Sequence, residues 1–306
     1  MTAPALLSLR NVRVDRDGSP LCEDLSFEVD GDRVVVAGPG AQALAAAFTL
    51  TGDLVRGQVL VDGLDMTSGE HVGRVGIAPL DPPLPPRMTV EGYLDLGFRT
   101  AGFPARTARE ATASCLTDLG TPNLAKRRTE SLSLNERRAV VLASAMLPGS
   151  RTVVAQDPLV GLEGPQAHSI LSVLGYISKH RRVLATSSRF DTASAERDLI
   201  MGATHVAIVG RDALLWSGPP AQLVAAAPLS CLWVREDSTE FLQALAAAGF
   251  IVHGSPPRLA VSFPEASSPA DLLAIAHRTN TTILEMVPLL EPQSPPPAAP
   301  PQNPGP

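Results

Sequence analysis

Lysine is almost missing from this chain. Its 306 residues hold 23 arginines but only two lysines, Lys126 and Lys179. Neither follows a glycine-rich turn, so no lysine stands where a phosphate-cradling loop would use one. Cysteine is scarce as well: Cys22, Cys115 and Cys231 are too scattered for a metal spacing or a disulfide framework, which suits a reducing cytoplasm. The six histidines form no H-x-x-x-H pair. No apolar run approaches the ~18 residues of a membrane span, and the N-terminus shows no secretory signal. Any service to a membrane is therefore expected from outside the bilayer. The net charge of −6 argues against nucleic acid as the main partner.

What is present is organised around Arg33 to Phe48, RVVVAGPGAQALAAAF. Val34, Val35 and Val36 read as a buried strand, Gly38-Pro39-Gly40 as a turn, and the run of alanines as a helix. Strand, glycine turn and helix form the scaffold on which amides and a positive helix end face a phosphate. Where that motif reads G-x-x-x-x-G-K-[ST], however, the lysine position holds Leu44 and the hydroxyl position Ala45.

Strand patterns at 7–14 and 25–29 precede this unit, and strands at 57–63 and 72–77 follow it. A proline-rich connector at 79–86 then leads to helices near 89–99 and 106–119. Ser133 with Glu136 forms a capping box that opens a helix running to about residue 146. Strand 151–156, helix 164–180, strand 183–186 and a terminal strand pair at 205–209 and 213–216 complete an α/β domain with a largely parallel sheet. From residue 229 the order becomes βαββαβ, a small ferredoxin-like unit with Ser268 capping its second helix. Residues 293–306 are proline-rich and read as a disordered tail. The expected domains are thus 1–227, with a helical subdomain at about 81–147, then 229–292 and the tail.

In that order the pieces resemble the nucleotide-binding subunit of an ABC transporter. VVVAGPG stands at the Walker A place, and GIAPL at 76–80 resembles the Q-loop. LSLNERRAVVLASAML resembles the signature and its helix, and TVVAQDPLVGLE fits the Walker B and D-loop pattern length for length. VLATSS matches the strand before the H-loop, and HVAIVGRDALLWSGPPAQL the strand pair after it. The resemblance covers about residues 5–225. The following βαββαβ unit is similar to the small domain on ATPase subunits that serve ABC-2-type exporters. It implies a P-loop NTPase-like α/β fold with a helical subdomain, joined to a small α+β ferredoxin-like domain.

The departures from the family pattern are as ordered as the matches. Gly38 and Gly40 remain in Walker A beside Leu44 and Ala45, and the Q-loop glutamine position is Leu80. In the signature, Ser133 is followed by Leu134, Asn135 and Glu136 where two glycines and a glutamine would stand. The Walker B aspartate position is Gln156, the catalytic glutamate position is Asp157, and the switch histidine position is Ser187 or Ser188. All these positions are expected to be vestigial, with no catalytic residue, no metal site, and ATP and Mg²⁺ binding lost or very weak. The resemblance then implies a non-catalytic subunit rather than an enzyme. It would dock on an ABC-2-type integral membrane permease at the cytoplasmic face of the inner membrane, paired with an ATPase-like partner, itself or a paralogue. Alternatives are a weakly ATP-binding or slowly hydrolysing transporter subunit, and a soluble regulatory scaffold. Apolar residues such as Leu84, Met88, Tyr93, Leu96 and Phe98 form either a dock for the permease or simply subdomain core.

Overall fold

A computed structural model describes residues 4–16, 19–38, 40–49, 54–188, 195–210, 212–225, 229–235, 239–264 and 267–290. The proline-rich tail at 293–306 lies outside the described residues. Strands β1 (Leu7–Arg16), β2 (Ser19–Val29), β4 (Leu54–Val61) and β5 (Leu64–Asp65) form an antiparallel sheet in the order β2-β1-β4-β5. The main sheet has the order β10-β9-β3-β8-β7-β6. It contains β3 (Arg33–Ala37), β6 (Val75–Ala78), β7 (Thr152–Ala155), β8 (Arg182–Ser187), β9 (His205–Val209) and β10 (Leu214–Gly218). All its pairings are parallel except that of β10 with β9.

The alternation of β3 shows how the core is laid out. Val34 and Val36 face one apolar cluster, and Val35 and Ala37 face another. The first cluster lies between the two sheets and holds helix α1 (Ala41–Thr49). Ala41, Ala43, Leu44, Ala46, Ala47 and Phe48 of this helix are all buried there, against Leu7, Val14, Leu25 and Val59 of the antiparallel sheet. A helix enclosed by two sheets must be apolar nearly all round. Small alanines let both sheets approach closely, a packing reason added to their helix propensity. Arg182 ties the layers together, pairing with Asp62 at 2.7 Å and with Asp30.

Between β6 and β7 the chain builds α2 (Val90–Thr100), α3 (Ala105–Asp118), 3₁₀ turns at Pro122–Leu124 and Thr129–Ser131, and α4 (Leu134–Ser144). The Thr89 hydroxyl caps α2 by accepting from the Gly92 amide at 3.2 Å. Leu84 and Phe98 are buried core, Met88 and Tyr93 are half-buried, and Leu96 is 45% exposed. The stripe is therefore mostly subdomain core. Helix α5 (Gly164–His180) covers the same face of the main sheet through Ile170, Leu174 and Ile177. Helices α6 (Ala195–Met201) and α7 (Pro220–Ala225) follow β8 and β10.

The C-terminal unit runs β11 (Leu229–Val234), α8 (Thr239–Ala247), β12 (Ile251–Ser255), β13 (Arg258–Ser262), α9 (Pro269–Arg278) and β14 (Ile283–Leu290). Its antiparallel order β12-β13-β11-β14 is the ferredoxin-like arrangement. Phe241, Leu245, Leu259, Val261, Leu272 and Ile275 form its core. Ser268 and Asp271 form the capping box of α9. Among the described residues, no helix is long and apolar enough to cross a membrane.

Candidate functional site

The site forms at the C-terminal ends of the parallel strands, where α/β sheets open a crevice. The Gly38 amide donates to the Ser187 carbonyl at 3.3 Å, joining the turn after β3 to the end of β8. The Gly40 amide donates to the Val209 carbonyl at 2.8 Å, and the Ala41 amide to the Gly38 carbonyl at 3.0 Å. A Cβ on Gly40 would sit 2.1 Å from the Gly210 carbonyl oxygen, so only glycine lets the turn lie this close to β9. Gly38 has φ +99°, a left-handed conformation that glycine adopts without strain.

Leu44 is fully buried in the cluster between the sheets, so its side chain belongs to the core and does not face the turn's solvent side. Ala45 is nearly buried too, and its carbonyl accepts from the Gln156 Nε2. The other end of that amide, Oε1, accepts from the Leu80 amide at 3.1 Å. Gln156 thus bridges α1 to the segment after β6 with one neutral side chain, itself only 7% exposed. A carboxylate there could accept from Leu80 but not donate to Ala45. Glutamine fits this pair of backbone groups.

Asp157 follows in the left-handed region at φ +38°, a conformation aspartate tolerates better than most residues. Its amide donates to the Thr186 hydroxyl at 3.1 Å, and its Oδ1 accepts from the Ser188 amide. The residue is 5% exposed. The structure therefore joins Gly38, Ala45, Leu80, Gln156, Asp157, Ser187 and Ser188 in one connected cluster.

The signature-like segment stands beside it, on α4. The Ser133 amide donates to Glu136 Oε2 at 2.8 Å and the Ser133 side chain accepts from the Glu136 amide, the two halves of the capping box, and the Ser133 hydroxyl also donates to Glu136 Oε2 at 2.9 Å. The amide of Ser133 holds the Glu136 carboxyl below its ordinary range, and the Ser133 hydroxyl and the Arg127 guanidinium add to the effect. The Ser133 hydroxyl also reaches Asn135 Oδ1 at 2.8 Å, while Leu134 is 40% exposed.

Two residues that sequence reasoning left aside belong to the same neighbourhood. Arg137 pairs with Asp81 at 3.1 Å. Arg138 is 6% exposed, donates to the Val160 carbonyl at 3.3 Å, and feels the charges of Asp81 and Asp157. Burial lowers its pKa from the ordinary arginine value, and the Arg138 Nε is buried without a partner among the described residues. Their signal was positional: both follow Glu136 on a helix whose next strand, β7, leads into Asp157. These donors do not fit the usual grip on Mg-ATP, which rests on a lysine and metal-ligating side chains.

No family model matches the chain. It is 28% identical over 236 residues to the zinc import ATP-binding protein ZnuC of a Ruegeria strain, covering 73% of this chain and 84% of that protein. It is 28% identical over 231 residues to the Fe(3+) ions import ATP-binding protein FbpC of Streptomyces coelicolor, covering 72% of this chain and 66% of the relative. The energy-coupling factor transporter ATP-binding protein EcfA of Methanothermobacter thermautotrophicus matches at 26% over 184 residues, 56% of this chain and 58% of that protein. Among solved structures, the dimeric ATP-binding cassette MJ0796, bound to ADP and Pi, superposes with a TM-score of 0.57 at 14% identity. That alignment covers 70% of this chain and 98% of the cassette. The fold is that of an ABC ATP-binding cassette, and the chain is similar to ATP-binding proteins of ABC transporters.

Two expectations are corrected by these relatives. The chain was expected not to be an enzyme, and to have no cofactor, with ATP and Mg²⁺ binding lost or very weak. The relatives aligned across its cassette are named ATP-binding proteins, and nothing in the comparisons indicates a loss of catalytic activity. Side chains are only part of what holds a phosphate: the amides at a helix N-terminus hold one as well.

Proposed function

We propose that this chain is the cassette subunit of an ABC-2-type membrane transport complex, docked on an integral permease and paired with a second cassette, itself or a paralogue. ATP is the ligand of the assembled pair. The observation that carries the proposal is the cluster joining Gly38, Gln156, Asp157 and Ser188 at the strand ends of a cassette fold. Its neighbour Ser133–Glu136 on α4 is the surface a second cassette would face across a shared nucleotide. The ABC-2 assignment is supported by the ferredoxin-like arrangement of β11 to β14. Residues 1–227 act in this scheme as the cassette, with the helical segment at about 81–147 turned to the permease and 229–292 as an accessory unit. The location that follows is the cytoplasmic face of the inner membrane.

The residues at the cluster set how this chain contributes. Leu44 and Ala45 offer no charge to a phosphate, and the Gly38, Gly40 and Ala41 amides are engaged within the chain, so the contribution here is the positive end of α1. Calorimetric titration of Mg-ATP into the chain alone and into the complex purified from membranes tests the proposal. Saturable binding by the complex supports it, and a complex that binds no ATP contradicts it.

A further inference from the structure

A groove runs between α5 and α6, on the face of the main sheet turned away from the antiparallel sheet. Leu171 and Leu174 of α5, Leu199 of α6 and Val35 of β3 line it, around a space of about 150 Å³. Arg33, Gly175 and Ser178 also line a wider depression of about 530 Å³, so the two adjoin. Lys179 stands at the rim of that depression.

Gly175 has no reason among the described residues to be glycine. Its backbone is ordinary helix within Gly164–His180, and a Cβ there would meet nothing within 4 Å. Glycine in a helix interior costs about 0.5–1 kcal/mol against alanine. The use left for it is the close approach of another backbone along the groove.

The chain carries a segment that reaches this place. Strand β14 ends at Leu290, paired with Leu229 shortly after α7, and α7 packs on α6. The C-terminal sheet packs on β10, and β3 lies two strands from β10, about 10 Å across the main sheet. Residues 291–306 follow Leu290 in the sequence. At about 3.1 Å per residue, a proline-rich stretch of that length spans about 50 Å.

We infer that the groove is the docking site of this chain's own proline-rich segment, residues 293–306. That segment has no charged side chain, so its prolines and alanines suit the apolar floor. Carbonyls of a polyproline helix make no internal hydrogen bonds, and Arg33 and Lys179 at the rim are donors for them. The segment's backbone passes over Gly175. Docked there, it ties the C-terminal unit to α5 and α6, the helices that follow Asp157 and Ser188 in the chain. The inference does not rest on the proposed function.

Photo-crosslinking on the full chain tests it. Ser172, exposed on the lining of the wider depression, is replaced by benzoylphenylalanine, and crosslinked peptides are identified by mass spectrometry. The expected crosslink joins position 172 to residues 293–306 within one chain. Gly175→Leu fills the groove and lowers that yield about tenfold, yet melts no lower than the parent because the space is open. Pro295→Gly, Pro296→Gly and Pro297→Gly together also lower it about tenfold, since the segment loses its preformed extended shape. These three changes lie after β14 and spare the fold. The inference is overturned if no crosslink reaches 293–306, or if the crosslinks join only separate chains. It also fails if the yield is unchanged in Gly175→Leu or in the triple proline variant.

Discussion

Replacing Gln156 by leucine removes the bridge between α1 and the segment after β6 while keeping a similar side-chain volume. The Leu80 amide, half-buried, loses its acceptor, and the Ala45 carbonyl loses a donor. An unsatisfied buried group costs about 1–3 kcal/mol. Leu80 sits toward the lower end because water reaches it in part, and the helical carbonyl of Ala45 adds less. Together the loss is about 2–3 kcal/mol, which in a domain of this size lowers the melting temperature by roughly 4–12 °C. Urea denaturation, with the midpoint shifted and the slope unchanged, gives the same quantity independently. Gln156→Glu separates the two bonds. A glutamate retains the acceptor for Leu80 but sets a carboxylate against the Ala45 carbonyl, so its folded pKa is raised. A group of that kind contributes its stability below its unfolded pKa and loses it as pH rises through the folded value. The variant should therefore approach the parent near pH 4 and fall behind it towards pH 8. A Gln156→Leu protein melting within about 1 °C of the parent would refute the bridge.

Two further perturbations probe the same neighbourhood. Glu136→Gln weakens the capping box at α4 and should cost about 1 kcal/mol at neutral pH. Because Glu136 is held below its ordinary pKa, its contribution is present above the unfolded carboxylate range and is lost as pH falls through the folded value. The gap between variant and parent in urea melts should accordingly close towards pH 3; a gap that widens instead contradicts the cap. Gly40→Ala places a methyl against the Gly210 carbonyl, where backbone must move, and should cost about 1–3 kcal/mol in thermal stability. An unchanged melting temperature would mean that the turn does not approach β9 as described.

Much of the cassette was legible because periodicity and capping are local. The valines of β3, the glycine turn after it, and the box formed by Ser133 and Glu136 all state their geometry within a few residues. Boundaries were less legible. The strand read at 72–77 begins only at Val75, because the Val72 and Arg74 amides close turns onto Gly69 and His71. Strand β2 starts at Ser19 rather than residue 25, its pairing with β1 interrupted by register shifts that blur the alternation. Helix α6 was missed because Glu196, Arg197 and Asp198 interrupt any apolar stripe and only Ile200 is buried.

At the site, sequence identified which positions converge but not what holds them. That Leu44 is core, and that Gln156 reaches Ala45 and Leu80, depends on how β6, β7 and α1 are brought together. The inference from absent side chains to absent ATP failed for a related reason: the amides at a helix N-terminus can hold an anion whatever the side chains beside them.

The central claim is membership of a membrane-bound cassette pair, and affinity purification of the tagged chain from detergent-solubilised membranes tests it most directly. The account predicts recovery of an integral membrane permease together with a second cassette, the chain itself or a paralogue, in a complex that binds ATP. Recovery of the chain alone from the soluble fraction, with no integral membrane protein in the eluate, would contradict it.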